Sequence, residues 1–185
     1  EDKIFANFSQ VKEVAEAKYE GLEILYGGEL YYSSDILEKL ERGQVPKMNN
    51  TRFALIEFSM TTPWKDIHTA LSNVIMLGIE RYNALEFNEE RVRELINMGC
   101  YTQINSSHVL KPKLFGDKYR QFKKRARYFL EKNLVHCVAS DMHNLGPRPP
   151  FMDEAREIIT KDFGTKRAYA LFEGNPQTLL ENKDL

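Results

Sequence analysis

The sequence predicts an α/β fold built on a parallel sheet. Three observations carry this. Short apolar runs, such as 53–58 and 135–139, alternate with amphipathic stretches. No run shows the polar–apolar alternation of a half-exposed antiparallel strand. The 185 residues, 42% of them hydrophobic and 11% aromatic, suffice for one domain with a sizeable core, so residues 1–185 read as a single domain.

The elements follow in order. Ile4, Phe8, Val11 and Ala15 recur at three- and four-residue steps and predict a helix over 3–18. Residues 22–26 have strand character and end at Gly27-Gly28, and 35–42 read as a helix. The apolar run 53–58 is a strand buried on both faces. Pro63 opens a helix that runs to about Leu77 and closes at Gly78. A helix over 89–98 turns Val92, Leu95 and Ile96 inward, and the strand 100–104 follows Gly99. Tyr119, Phe122, Ala126 and Phe129 form the apolar stripe of a helix over 117–132. A strand at 135–139, helices at 151–162 and 165–173, and a short helix near Pro176 complete the chain.

Two breaks interrupt the alternation. The chain opens on a helix with no strand before it. Only Gly78-Ile79 separates the helix expected to end at Leu77 from Glu80-Arg81-Tyr82, too little for a strand and its loops. Both breaks predict that segments of the natural polypeptide are absent.

Composition excludes several functions. With 26 basic and 27 acidic residues the net charge is −1, which gives no case for non-specific binding to nucleic acid or to anionic membranes. No apolar run approaches the ~20 residues needed to cross a bilayer. The opening Glu1-Asp2-Lys3-Ile4 is polar rather than signal-like, so a cytoplasmic protein is expected. Cys100 and Cys137 sit in apolar stretches and read as buried thiols, not a disulfide framework. Neither stands six residues before an arginine, which a cysteine-based tyrosine phosphatase needs, and no G-x-S-x-G elbow or nucleotide-binding glycine motif occurs.

In parallel α/β proteins, functional groups gather at the carboxyl ends of the strands. Here those ends carry Glu29 after the Gly-Gly bend, Glu57 in 53–58, and Asp141 and His143 after 135–139. Carboxylates and imidazole together suit manganese, iron or zinc. Each has a plainer alternative: Glu57 paired with a buried cation, Glu29 exposed in a turn, Asp141 capping a turn. Arg81 and Arg148, the latter in the stiff loop Gly146-Pro147-Arg148-Pro149-Pro150, suit two-point capture of phosphate. Lys123, Lys124, Arg125 and Arg127 read as a solvated basic helix face, and His68 and His136 as structural. His108 follows a strand and is a candidate to touch the site.

Four segments carry a family likeness: Ala54-Leu55-Ile56-Glu57-Phe58-Ser59-Met60, Glu80-Arg81-Tyr82-Asn83-Ala84-Leu85-Glu86, the stretch 91–103, and Ala139-Ser140-Asp141-Met142-His143-Asn144. They resemble the CpsB/YwqE-type tyrosine-protein phosphatases of the PHP (polymerase and histidinol phosphatase) superfamily. The resemblance implies a distorted TIM-like (β/α)7 barrel of PHP type, with its first strand and one internal strand missing from this chain. It implies two or three divalent ions, typically Mn2+, with iron or other metals as alternatives. By position, Glu29, Glu57, Asp141 and His143 resemble metal ligands, and Arg81 and Arg148 the phosphate-binding arginines, with His143 or His108 assisting catalysis. The family also has an opening H-x-H pair, an aspartate and a histidine ahead of the first helix, and a strand-end histidine before E-R-Y. None of these is present here. The implied activity is hydrolysis of phosphotyrosine on an autophosphorylating bacterial tyrosine kinase that controls capsule or exopolysaccharide synthesis, with no nucleic acid and no membrane insertion. The alternatives are another PHP phosphoesterase, such as a histidinol-phosphate phosphatase, or a degenerate, non-catalytic binding module.

Overall fold

The computed structural model describes residues 12–14, 16–18, 29–31, 53–68, 73–146 and 148–185, with 29–31 described by backbone alone. Residues 12–14 and 16–18 are helical, within the first predicted helix. The predicted strand 22–26 and helix 35–42 lie outside the described residues.

The frame is an open parallel sheet. Its strands are β1 (Glu29–Tyr31), β2 (Ala54–Glu57), β3 (Val74–Met76), β4 (Cys100–Asn105) and β5 (Cys137–Ala139). They are ordered β1-β2-β3-β4-β5, every neighbouring pair parallel. The helices are α1 (Trp64–Ile67), α2 (Glu89–Asn97), α3 (Ser106–Val109), α4 (Arg120–Glu131), α5 (Met152–Phe163), α6 (Thr165–Tyr169) and α7 (Asn175–Leu180). A π-helical turn, Ala170–Gly174, joins the last two.

Both faces of the sheet are apolar because both are covered. Ile56, Met76 and Ile104 face the helices and pack with Leu95, Phe129 and Ile159. Phe53, Ile75 and Cys137 face the other way, where Leu179 of α7 closes over them. Leucine, valine and phenylalanine side chains buried this way each contribute roughly 1.5–3 kcal/mol. At the start of α2, Asn88 accepts a hydrogen bond from the Arg91 amide at 3.0 Å, while Glu89 and Glu90 favour the helix amino end.

The structure corrects three expectations. The helix from Pro63 stops at Ile67, and Val74–Met76 is a strand. That strand fills the gap between β2 and β4, so the internal strand thought missing is present. A short apolar run fits either period. Here Asn73 in the left-handed conformation (φ 59°) sets the chain into the sheet, and the backbone of Val74–Met76 finds partners on both sides. Second, Glu29 lies within a strand of its own: it opens β1, its Cα beside Leu55. Strand-forming Leu30 and Tyr31 continue the pairing, so the carboxyl end of β1 lies beyond Glu29. Third, the basic face of α4 is only half solvated. Lys123 and Arg125 are buried and paired, Lys123 Nζ with Asp117 at 2.9 Å and Arg125 Nη2 with Glu86 at 2.9 Å, while Lys124 and Arg127 are exposed. The long lysine and arginine stems pack against apolar neighbours while their charges reach acids on adjoining loops.

Candidate active site at the carboxyl end of the sheet

The site is assembled from the ends of β2, β3, β4 and β5. Glu57 is the last residue of β2 and nearly buried. Beyond β3 the chain turns through Gly78 into a 3-10 turn, Ile79–Arg81, and this turn carries Arg81. Gly78 has φ 61°, and a Cβ added there would stand 3.1 Å from Arg81 Cδ. Glycine thus supplies a left-handed turn and room for the Arg81 side chain.

Arg81 Nη1 donates to Glu57 Oε1, and the same nitrogen lies 4.0 Å from Asp141 Oδ2. One guanidinium nitrogen therefore spans the two acids. Asp141 follows β5 in the left-handed conformation, at φ 47°. Its Oδ2 accepts from Arg148 Nη2 at 2.6 Å and from Asn105 Nδ2 at 3.0 Å. Its Oδ1 lies 3.2 Å from His143 Nε2. The sequence-predicted Glu57, Arg81, Asp141, His143 and Arg148 are thus joined through one set of contacts. The side chain of Glu29 lies outside the described residues.

Behind this layer is a buried support. Glu80 is fully buried, and its Oε1 accepts from the Asn105 amide at 3.1 Å and meets His108 Nδ1 at 2.6 Å. Glu80 Oε2 has no hydrogen-bond partner among the described residues. Arg125 reaches the carbonyls of Glu80 and Arg81 at 3.4 Å each and Asn83 Oδ1 at 3.1 Å, holding the turn that presents Arg81. His108 therefore does not line the site; it orients Glu80, which fixes the backbone of Asn105. Glu80 and Asn105 escaped the sequence reading. The available signal was position: Asn105 ends β4, and Glu80 adjoins Arg81.

Tyr82 ties two strand ends together. Its hydroxyl donates to the Leu77 carbonyl and accepts from the Phe58 amide at 3.0 Å, spanning the loops after β2 and β3. Burial, chiefly, pushes its phenol well above the ordinary value, so it stays a donor. Gly78 N, in turn, donates to Gln103 Oε1 at 2.8 Å.

The thiols play no part here. Burial pushes Cys100 and Cys137 each up to about 12, so neither is a thiolate near neutrality.

A divalent ion fits the kind of donors present: two carboxylates and an imidazole are hard and borderline ligands. The closest pair is Asp141 with His143. Among the described residues no group of three acids, histidines or cysteines stands close enough to hold an ion, because Arg81 lies between Glu57 and Asp141. In this arrangement Glu57 is paired with the half-buried guanidinium of Arg81.

Comparison with known proteins supplies the remaining observations. Residues 1–181 match the sequence model of a family described as capsular polysaccharide synthesis, CpsB/CapC. The tyrosine-protein phosphatase CpsB of Streptococcus agalactiae is 68% identical over 98% of this chain and 78% of its own length. The protein of the same description from Streptococcus pneumoniae is 59% identical over 97% of this chain and 77% of its own length. The tyrosine-protein phosphatase YwqE of Bacillus subtilis is 28% identical over 89% of this chain and 65% of its own length. A crystal structure from work on YwqE of B. subtilis and CpsB of S. pneumoniae, described as unique metal-dependent tyrosine phosphatases, superposes with a TM-score of 0.75 at 25% identity, covering 96% of this chain and 72% of that one. None of the helices among the described residues is long and apolar enough to cross a membrane. With a family match across nearly its full length, the chain belongs to the CpsB/CapC family of capsular polysaccharide synthesis.

Proposed function

We propose that the chain hydrolyses phosphotyrosine with the help of divalent metal. The observation that carries this reading is Asp141, on which Arg148, Asn105 and His143 converge, with Arg81 Nη1 4.0 Å away, at the carboxyl rim of a parallel sheet. Family membership and relatives described as tyrosine-protein phosphatases support it.

Asp141, His143 and Glu57, with Glu29, would hold the metal, with manganese proposed in two or three positions. Bound there, metal supplies a water of lowered pKa and positive charge for the phosphoryl oxygens. The chain's own groups do the rest. Arg81 and Arg148 neutralise these acids in the arrangement seen, and each guanidinium suits two-point binding of a phosphoryl group. Asn105 fixes the orientation of Asp141. His143 stands ready to carry a proton, though a phenol leaving group of pKa about 10 needs little acid assistance. The substrate proposed is an autophosphorylated bacterial tyrosine kinase controlling capsule synthesis, the location proposed for the protein itself is the cytoplasm, and the fold proposed for the natural protein is the distorted β/α barrel.

A second reading rests on the Arg81 bridge between Glu57 and Asp141: a cation occupies the space between two of the proposed ligands, as expected of a binding module without catalysis. Metal content of the purified protein, together with turnover of phosphotyrosine peptide and of histidinol phosphate, separates the readings. Stoichiometric manganese or iron, with turnover of the peptide abolished by Asp141→Asn, supports the phosphatase. Metal-free protein without turnover supports the binding module, and preference for histidinol phosphate overturns the choice of substrate.

A further inference from the structure

The balanced net charge conceals a local imbalance at the rim. Leu114, Phe115 and Leu145 are 80%, 84% and 84% exposed, more than any other large apolar side chain among the described residues. All three lie on loops at the carboxyl end of the sheet. Leu114 and Phe115 stand between α3, which begins directly after β4, and α4. Leu145 follows β5, four residues after Asp141.

The loop bearing Leu114 and Phe115 is built, not slack. Asp117 accepts from the Lys113 amide at 2.8 Å, the Tyr119 amide at 3.0 Å and Lys123 Nζ at 2.9 Å. Arg120 Nη2 donates to the carbonyls of Lys113 at 2.8 Å and Leu114 at 2.7 Å. The Tyr119 ring packs 5.4 Å from His108, which adjoins Glu80 and thus the site. These bonds hold the chain so that two apolar side chains project into water. Segment 110–120 carries four basic residues, Lys111, Lys113, Lys118 and Arg120, all exposed, against one acid, Asp117, which is committed to holding the loop.

Apolar side chains on a braced tip, surrounded by cations, suit the boundary between anionic headgroups and acyl chains. We propose that the Leu114–Phe115 loop, with Leu145 beside the site, rests on an anionic membrane surface and holds the phosphoryl-binding end of the sheet toward it. The proposal concerns location and stands whether or not the site is catalytic. The observations favour a membrane over a protein partner because apolar tips on two separate loops lie at one end of the sheet, and the acid within the longer one is already neutralised.

The test is flotation of the full chain with vesicles of phosphatidylcholine alone or mixed with phosphatidylglycerol, at low and high salt. Binding is expected only with phosphatidylglycerol, weakened by salt. A charge-reversed Lys113→Glu/Lys118→Glu variant should lose well over tenfold, since each cation near such a surface is worth roughly fivefold in partitioning. Leu114→Ser/Phe115→Ser should lose at least tenfold, with thermal unfolding unchanged because both side chains are exposed. Absence of vesicle binding, equal binding to neutral vesicles, or unaltered binding by both variants overturns the proposal. So does a Leu114→Ser/Phe115→Ser variant that keeps vesicle binding but loses turnover of a phosphotyrosine protein in lipid-free solution, which would assign the loop to a protein partner.

Discussion

Lowering the pH should destabilise the fold through one imidazole. His136 sits where β5 begins, packed edge-on against Tyr101 at 5.4 Å. The Thr102 amide donates to its Nδ1 at 3.1 Å, which requires that nitrogen to be unprotonated. A proton on Nδ1 would set donor against donor. Burial first, then the nearby Arg167, pushes the imidazole from 6.5 down to about 4. The sign follows: the unfolded chain takes up a proton near 6.5 while the folded chain resists until about 4, so stability present above 6.5 is lost as pH falls between those values. At 1.36 kcal/mol per unit the loss approaches roughly 3 kcal/mol by pH 4. Urea unfolding of the parent and of His136→Gln at pH 7.5, 6.5, 5.5 and 4.5 measures it. Carboxylates titrate alike in both proteins, so the difference between them isolates the imidazole. Parallel pH profiles for the two proteins would refute the reasoning.

Other expectations follow from the same geometry. Tyr82→Phe leaves the Phe58 amide and Leu77 carbonyl without the hydroxyl and should cost about 2 kcal/mol in urea unfolding. Arg148→Lys keeps the charge but loses the planar fork, so kcat/KM on a phosphotyrosine peptide should fall roughly a hundredfold without loss of stability. Cys100 and Cys137, buried and with raised pKa, should resist a thiol reagent at pH 8 in the native protein and react fully in denaturant; fast native labelling would show that the strands open readily.

Much of the frame was legible because its signals are local. The run at β5 is apolar throughout, that at β2 is apolar up to Glu57, β4 follows directly on Gly99, and α2 announces itself through Val92, Leu95, Ile96 and Gly99. β3 was not legible. Val74-Ile75-Met76 continues a helical-looking run, and only tertiary pairing on both sides decides in favour of a strand. Glu57, Asp141, His143, Arg81 and Arg148 drew attention as polar residues at strand ends or in a rigid loop. Their pairing pattern could not be read, because whether Glu57 meets a metal or a guanidinium depends on the Gly78 turn. Glu80 and His108 show the harder case. A buried acid and its imidazole partner lie 28 positions apart, and sequence spacing gives no sign that they meet. The burial of Lys123 and Arg125 likewise depends on Asp117 and Glu86 arriving from other loops.

The sheet's order, in which neighbours in space are successive in the chain, sets a timetable for the nascent polypeptide. As the ribosome releases the chain from its amino end, each strand can dock on one already synthesised, so little of the sheet need wait for a distant partner. Glu57 and Arg81 emerge well before Asp141 and can pair early, whereas Asp141, His143 and Arg148 arrive only with and after β5. A ribosome stalled after β4 would therefore display a partly built sheet whose carboxyl rim is still unfinished.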